Sequence, residues 1–263
     1  FVVFSNGAQS KVGALGADYA FFHEWKRLDE GDGAGSTALT RLAEGMFAKD
    51  RFMDLFENFI LFERSPAGLT KIVARNHQAL GVNRAFEAYR KRESLGGKLG
   101  VFWHTQGSGK SYSMVFLARK ILRKLGGTPT FLVLVDREEL QEQLSATFEQ
   151  CGVCERAQSL ATSEADLYAK LESGAKVIFA LIQKFQGRHA PVPGSEEVVL
   201  FSDEAHRSQY GLYAENLAEA LPDAARLGFT GTPLLGGDQL TRRTFGDYVS
   251  IYDFQRAVAD GAT

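Results

Sequence analysis

An apolar run, a glycine-rich turn and a helix-forming stretch follow one another without a break between residues 99 and 125. The turn reads His104-Thr-Gln-Gly107-Ser-Gly109-Lys110-Ser111. Glycines let such a turn close tightly enough for several backbone N–H groups to face one anion, and the N-terminus of the next helix adds a favourable dipole. The segment therefore reads as a phosphate-binding loop. Lys110 is placed for the β- and γ-phosphates and Ser111 for Mg²⁺. The usual pattern has Gly or Ala in the first position, where this chain has His104.

Beyond that unit the same alternation continues. Candidate strands are Leu99–His104, Thr130–Val135, Lys176–Ile182, Val198–Ser202 and Arg226–Phe229, with helical stretches near 110–125, 138–150, 163–173 and 206–220. The strands are continuous apolar runs, as in a parallel sheet covered on both faces. The expected fold is α/β: a parallel sheet flanked by helices, joined by right-handed crossovers. The AVILMFWYC set is 44% of the 263 residues and charged residues are 24%, an ordinary globular balance that excludes wholesale disorder. No apolar run approaches the ~20 residues that span a bilayer.

Residues 1–97 follow a different pattern. Phe47, Leu55, Phe56, Phe59 and Ile60 recur at helical spacing, as do Leu80, Ala85, Phe86 and Tyr89, so residues 46–95 read as helices broken at Arg64–Gly68, where Pro66 falls. Ahead of them come a short strand at Phe1–Phe4, a turn at Asn6-Gly7, a short helix at Tyr19–Leu28 and a loop at 32–36. The N-terminus has neither an initiator Met nor the basic and apolar regions of a signal peptide, which points to a piece of a longer, cytoplasmic chain. Cys151 and Cys154 cannot complete a four-ligand zinc site and read as incidental.

Net charge is −2, whereas a compact dedicated nucleic-acid binder is usually basic; local patches remain open. Residues 84–124 carry ten Lys/Arg against two Glu. Within them Arg119, Lys120, Arg123 and Lys124 read as a solvated helix face whose cations suit the helix C-terminus.

Two further strand ends carry chemistry. Val198–Ser202 runs into Asp203-Glu204-Ala205-His206. Asp203 can hold the Mg²⁺ shell, and Glu204 can orient and deprotonate an attacking water, the two tasks phosphoryl transfer requires. After the last run come Thr230-Gly231-Thr232-Pro233, whose two hydroxyls can bridge the γ-phosphate region to a neighbouring surface.

In this order the three segments resemble motifs I, II and III of superfamily 2 helicases and translocases. The match narrows further. Trp103–Ser111, Phe131–Arg137, Leu181–Phe185 and Asp203–Gly211 resemble the motor motifs of the R (HsdR-type) subunit of type I restriction-modification enzymes, in which a His at the first loop position is expected. Asn76–Ala85 resembles the segment ahead of that motor, and Phe245–Tyr248 with Ala257–Thr263 resembles the crossing to a second motor lobe.

The resemblance implies a RecA-like P-loop domain over 96–240. A helical connector over 46–95 and a remnant of an upstream α/β nuclease domain over 1–45 would precede it, and 241–263 would begin the crossing. It implies an ATP- and Mg²⁺-dependent translocase of double-stranded DNA, partnered by methyltransferase (M) and specificity (S) subunits. Nucleotide contacts would come from Thr105, Gln106, Gly107, Ser108, Gly109, Lys110 and Ser111, with Gln78 reading adenine. Lys110, Asp203, Glu204 and His206 would act in hydrolysis; Thr230 and Thr232 would couple it to movement; Arg137, Gln183 and Lys184 would touch DNA backbone. The family's nuclease site and the second lobe, with its arginine finger, are absent; Glu24-Trp-Lys26 is a coincidental ExK. An arginine finger is worth roughly 10³–10⁵ in rate, so the piece is expected to bind nucleotide and turn it over poorly. The alternatives are a nucleotide-dependent DNA-binding switch without turnover, and another superfamily 2 helicase acting on DNA or RNA.

Overall fold

The computed structural model describes residues 1–29, 37–185, 190–203, 208–232 and 239–261, with backbone alone at 208–212, 214, 239 and 240. Eleven strands are found among them: β1 Val2–Ser5, β2 Ser10–Gly13, β3 His23–Glu24, β4 Ile60–Ser65, β5 Gly68–Val73, β6 Lys98–His104, β7 Thr130–Val135, β8 Val177–Leu181, β9 Val198–Ser202, β10 Ala225–Thr230 and β11 Tyr248–Tyr252. The α-helices are α1 Ala38–Leu42, α2 Lys49–Asn58, α3 Asn76–Arg90, α4 Lys110–Leu125, α5 Glu138–Gln150, α6 Arg156–Ser159, α7 Glu164–Glu172, α8 Ser208–Ala220, α9 Gln239–Phe245 and α10 Phe254–Asp260.

Strands β6 to β11 form one six-stranded sheet in the order β11-β6-β10-β9-β7-β8, with every pairing parallel. The fold is the expected α/β class, a RecA-like P-loop architecture. All six residues of β7 are buried, as a centre strand covered on both faces requires. Alternate residues serve opposite cores. Phe131, Val133 and Val135 join Phe102, Phe116, Phe179 and Phe201 on one face. Leu132 and Leu134 join Val101, Ile178, Leu200 and Phe245 on the other. The first core is sealed by α3, α4 and α5, the second by α7, α8 and α9. On α3, a Cβ at Gly81 would come within 2.8 Å of Phe102 and Ser250 side-chain atoms, so only glycine lets this helix lie so close to β6 and β11.

Three sequence expectations need correction. Residues 46–95 are not helical throughout. Helices α2 and α3 flank an antiparallel hairpin in which Ile60 pairs with Val73 and Leu61 with Ile72. Period-2 burial wins there: Leu61 is buried and Phe62 exposed. Tyr19–Leu28 is not a helix; it holds one 3₁₀ turn at Tyr19–Phe21 and the short strand β3, which closes a three-stranded antiparallel sheet with β1 and β2. Lys120 is not solvated. It is 5% exposed, lies over the Phe59 and Phe86 rings, and donates to Asp54 at 2.6 and 2.8 Å and to Asn83 at 2.5 Å. It pins α4 to α2 and α3. Its neighbour Lys124 pairs with Glu57 of α2.

The parallel sheet also continues past residue 240, since β11 pairs with β6. The N-terminal segment packs on the same core: Trp25 is buried in the cluster that holds Phe59 and Phe116.

Candidate nucleotide-binding site

In a parallel sheet every strand points the same way, so the residues following the strands gather at one edge. The loop 105–109 follows β6, Asp203 follows β9, Thr230 ends β10 and Arg137 lies just beyond β7. Gln106, Gly107, Gly109, Lys110, Ser111, Arg137 and Asp203 line one cavity of about 760 Å³. Arg137, which the resemblance implies touches DNA backbone, lines this cavity together with Lys110. It is mostly exposed, with Nε 3.6 Å from Asp136 Oδ2.

The loop takes its shape from left-handed glycines. Gly107 and Gly109 have φ of 83° and 84°. A Cβ at Gly109 would also sit 2.6 Å from Gln78 Nε2. Lys110 Nζ donates to the His104 carbonyl at 3.2 Å, and a Cβ at Gly231 would lie 3.4 Å from Nζ. The Thr230–Thr232 turn thus backs directly onto the loop lysine. Thr230 is buried; its hydroxyl donates to the Thr232 carbonyl at 3.1 Å and accepts from the Thr232 N–H at 3.1 Å. The Asp203 N–H donates to the Leu134 carbonyl at 2.9 Å, tying β9 to β7 at the point where the carboxylate emerges.

Gln78 reaches the loop, and its amide is engaged with backbone. Oε1 accepts from the Arg75 N–H at 2.8 Å and Nε2 donates to the Gly109 carbonyl at 3.0 Å. One proton and one lone pair remain for a further partner. Gln78 also borders a second cavity of about 500 Å³ on the far side of the loop, walled by the N-terminal sheet and the β4–β5 hairpin. Tyr112 borders both cavities, and its hydroxyl donates to Glu63 Oε1 at 2.7 Å. Burial and Glu63 push the phenol well above its ordinary range.

The His104 side chain does not face an anion. It is fully buried, packs tilted against Phe102 with ring centroids 3.9 Å apart, and meets Ser250 Oγ at 2.7 Å through Nε2. Burial, then the neighbouring His77, holds its pKa well below the ordinary value, so the ring is neutral. Gln183 Nε2 donates to the Asp136 carbonyl at 3.1 Å and Lys184 Nζ to the Thr162 carbonyl at 2.7 Å. Both therefore brace loops at the carboxyl edge. Glu204 and His206 lie outside the described residues.

Sequence reasoning missed Glu63, Tyr112, His77 and Tyr252 at this site. Tyr112 follows Ser111 and His77 precedes Gln78, so both were within reach; Glu63 and Tyr252 arrive from elements that no local pattern links to the loop. Cys151 is buried, and burial pushes its thiol up to about 12, which makes it inert. No helix among the described residues is long and apolar enough to cross a membrane.

Residues 77–263 match the SWI2/SNF2 ATPase family. The whole chain aligns at 38% identity over 291 residues with the HindI endonuclease subunit, a type I restriction enzyme of Haemophilus influenzae, covering 28% of that protein. A type I restriction enzyme endonuclease subunit of Staphylococcus aureus is 30% identical over 190 residues, 67% of this chain and 20% of its own length. The fold resembles a nuclease-deletion mutant of the Type ISP restriction-modification enzyme LlaGI in complex with a DNA substrate mimic. The TM-score is 0.51 at 17% identity, covering 72% of this chain and 20% of that one. The chain thus spans under a third of the length of the relatives it matches. It belongs to the SWI2/SNF2 ATPase family and is a homologue, over its whole length, of type I restriction enzyme endonuclease (R, HsdR-type) subunits.

Proposed function

We propose that this chain is the ATP-binding and hydrolysing motor part of a type I restriction enzyme R subunit, coupling hydrolysis to translocation of double-stranded DNA. The observation that carries the reading is the single cavity shared by Lys110, Ser111, Arg137 and Asp203 at the carboxyl edge of the sheet. Backbone N–H groups of the loop and the Lys110 ammonium compensate the terminal phosphates. A hydroxyl and a carboxylate on the same cavity suit the hard oxygen ligands that Mg²⁺ takes, so Ser111 and Asp203 would hold the ion, which would supply charge neutralisation. Thr105, Gln106, Gly107, Ser108 and Gly109 form the cradle, and Gln78 offers its spare amide valences to the base. Glu204 orients the attacking water, and His206, Thr230 and Thr232 couple its use to movement. Arg137 serves the phosphate side of the cavity as well as the DNA backbone, with Gln183 and Lys184 holding the DNA-facing loops.

The relatives are named endonuclease subunits of type I restriction enzymes, which supports duplex DNA as the track and methyltransferase and specificity subunits as partners. In this reading the domains divide at 45, 95 and 240, with the last segment leading to a second lobe, and the chain works in the cytoplasm. The test is ATP hydrolysis with and without double-stranded DNA, in the chain and in Lys110→Ala. ATP binding that depends on Lys110, with weak turnover that duplex DNA raises and the variant loses, is the expected outcome. Turnover that survives Lys110→Ala would remove the site assignment. Nucleotide binding without turnover under any DNA condition would favour a switch over a motor.

A further inference from the structure

Behind the phosphate-binding loop runs a series of contacts that the nucleotide reading leaves unused. His77 precedes Gln78 at the start of α3 and places Nε2 2.9 Å from the Ser108 carbonyl oxygen. That oxygen can only accept, so Nε2 carries the proton and donates it. Burial holds His77 at about 4, which keeps the ring neutral near pH 7. The imidazole lies flat on Tyr252, with centroids 3.8 Å apart and planes 9° from parallel. Tyr252 serves the loop a second time, since its carbonyl accepts from the Thr105 N–H at 2.9 Å. Its hydroxyl donates to Asp260 Oδ2 at 2.9 Å. Asp260 Oδ1 lies 3.1 Å from Lys26 Nζ, which also donates to the Ala259 carbonyl at 2.5 Å.

The geometry at Ser108 gives this series a purpose. The described peptide bonds are all trans, so each C=O points opposite to the N–H of the same peptide. His77 holds the Ser108 carbonyl and Gln78 holds the Gly109 carbonyl, both from α3. The N–H groups of Gly109 and Lys110 are thereby aimed away from α3. Successive N–H groups aimed one way make an anion-binding nest. The helix N-cap is Gly109, which has no side chain to do this work from within the loop.

We infer that His77 is a positioning residue for the phosphate-binding loop, and that Tyr252, Asp260 and Lys26 hold its imidazole, so that segments before the first helix and after the last strand set the loop's nucleotide affinity. The inference rests on the nucleotide-binding reading of the same site. Lys26 lines neither the loop nor the cavity at the carboxyl edge, and its influence passes through three other side chains.

A fluorescent ATP analogue titrated into the full chain tests it, with thermal unfolding measured beside each titration. His77→Phe keeps a flat ring against Tyr252 and removes the donor; the Kd should rise about tenfold, one lost charge-neutral hydrogen bond's worth. His77→Gln restores a donor and should return the Kd to within about threefold of the parent. Tyr252→Phe and Lys26→Met should each raise the Kd by about two- to threefold, with the unfolding midpoint nearly unchanged. A His77→Phe chain that binds like the parent while Lys110→Ala does not bind would overturn the positioning role and leave the nucleotide site standing. So would a folded His77→Gln chain no better than His77→Phe. Undiminished binding by Lys110→Ala would instead remove the nucleotide reading itself.

Discussion

At the carboxyl edge of the sheet, three charged residues that line the cavity sit within a few positions of a strand end: Lys110 after β6, Arg137 after β7, Asp203 after β9. Behind the loop the opposite holds. Its braces come from far along the chain, with His77 31 residues from Ser108, Asp54 66 from Lys120 and Lys26 233 from Ala259. The edge is built by short segments that follow the strands of one parallel sheet. The ground behind it is built by tertiary contacts between segments far apart in the chain. The lesson is that the loop's own glycines give it its turns, while side chains from distant segments hold two of its carbonyls.

That comparison can be broken or sharpened experimentally. The largest effect should come where the two regions share a core. Phe116 of α4 is fully buried against Phe59, with centroids 5.7 Å apart. Phe116→Ala should cost about 3–5 kcal/mol in a denaturant titration. A loss below about 1 kcal/mol would mean that the helix after the loop does not depend on the connector.

Next comes the buried lysine. Asp54→Ala strands Lys120 in the interior and should cost about 3 kcal/mol, whereas the double replacement Lys120→Met with Asp54→Leu should regain most of it. Burial lowers the Lys120 pKa, although the Asp54 bonds oppose the shift. If both variants lose equally, the pair is more than a charge held inside.

Acid should act on the brace. Burial lowers the His77 pKa from 6.5 to about 4. Between those values the unfolded chain takes up a proton that the folded chain refuses, so stability falls as pH falls from 6.5 toward 4. The full loss from this ring is on the order of 3 kcal/mol. His77→Gln should flatten that part of the stability–pH curve; an unchanged slope would place the acid sensitivity elsewhere, with His23 the next group to test, since burial lowers it to about 4 too. The smallest effect belongs to Lys124→Met. Its ion pair with Glu57 is more than a third exposed on both sides, and loss of it should cost under ~1 kcal/mol.

Much of the edge was legible in advance because each feature is written within ten residues. The apolar runs at 130–135 and 198–202 match β7 and β9 residue for residue. The loop glycines announce the left-handed turns that they adopt. The hairpin was hidden because Phe56, Phe59 and Ile60 mimic a helical stripe, although Phe56 is exposed and the helix stops at Asn58. Strand β11 was hidden because Tyr-Val-Ser-Ile-Tyr is short and follows a Gly-Asp turn that reads as a linker. Lys120 was misread because four cations within six residues look like a solvated face, and only the Asp54 and Asn83 positions reveal the inward one. The His77–Tyr252 stack joins residues 175 positions apart, beyond the reach of any spacing rule.

The measurement that bears most directly on the account is binding of an ATP analogue to the chain and to Lys110→Ala at equal thermal stability. The account predicts saturable binding by the parent and at least about a hundredfold weaker binding by the variant, a difference of roughly 3 kcal/mol placed in one ammonium group. Equal affinity in the two chains would contradict it: the cavity at the carboxyl edge would not be the nucleotide site, and the braces behind it would have nothing to position.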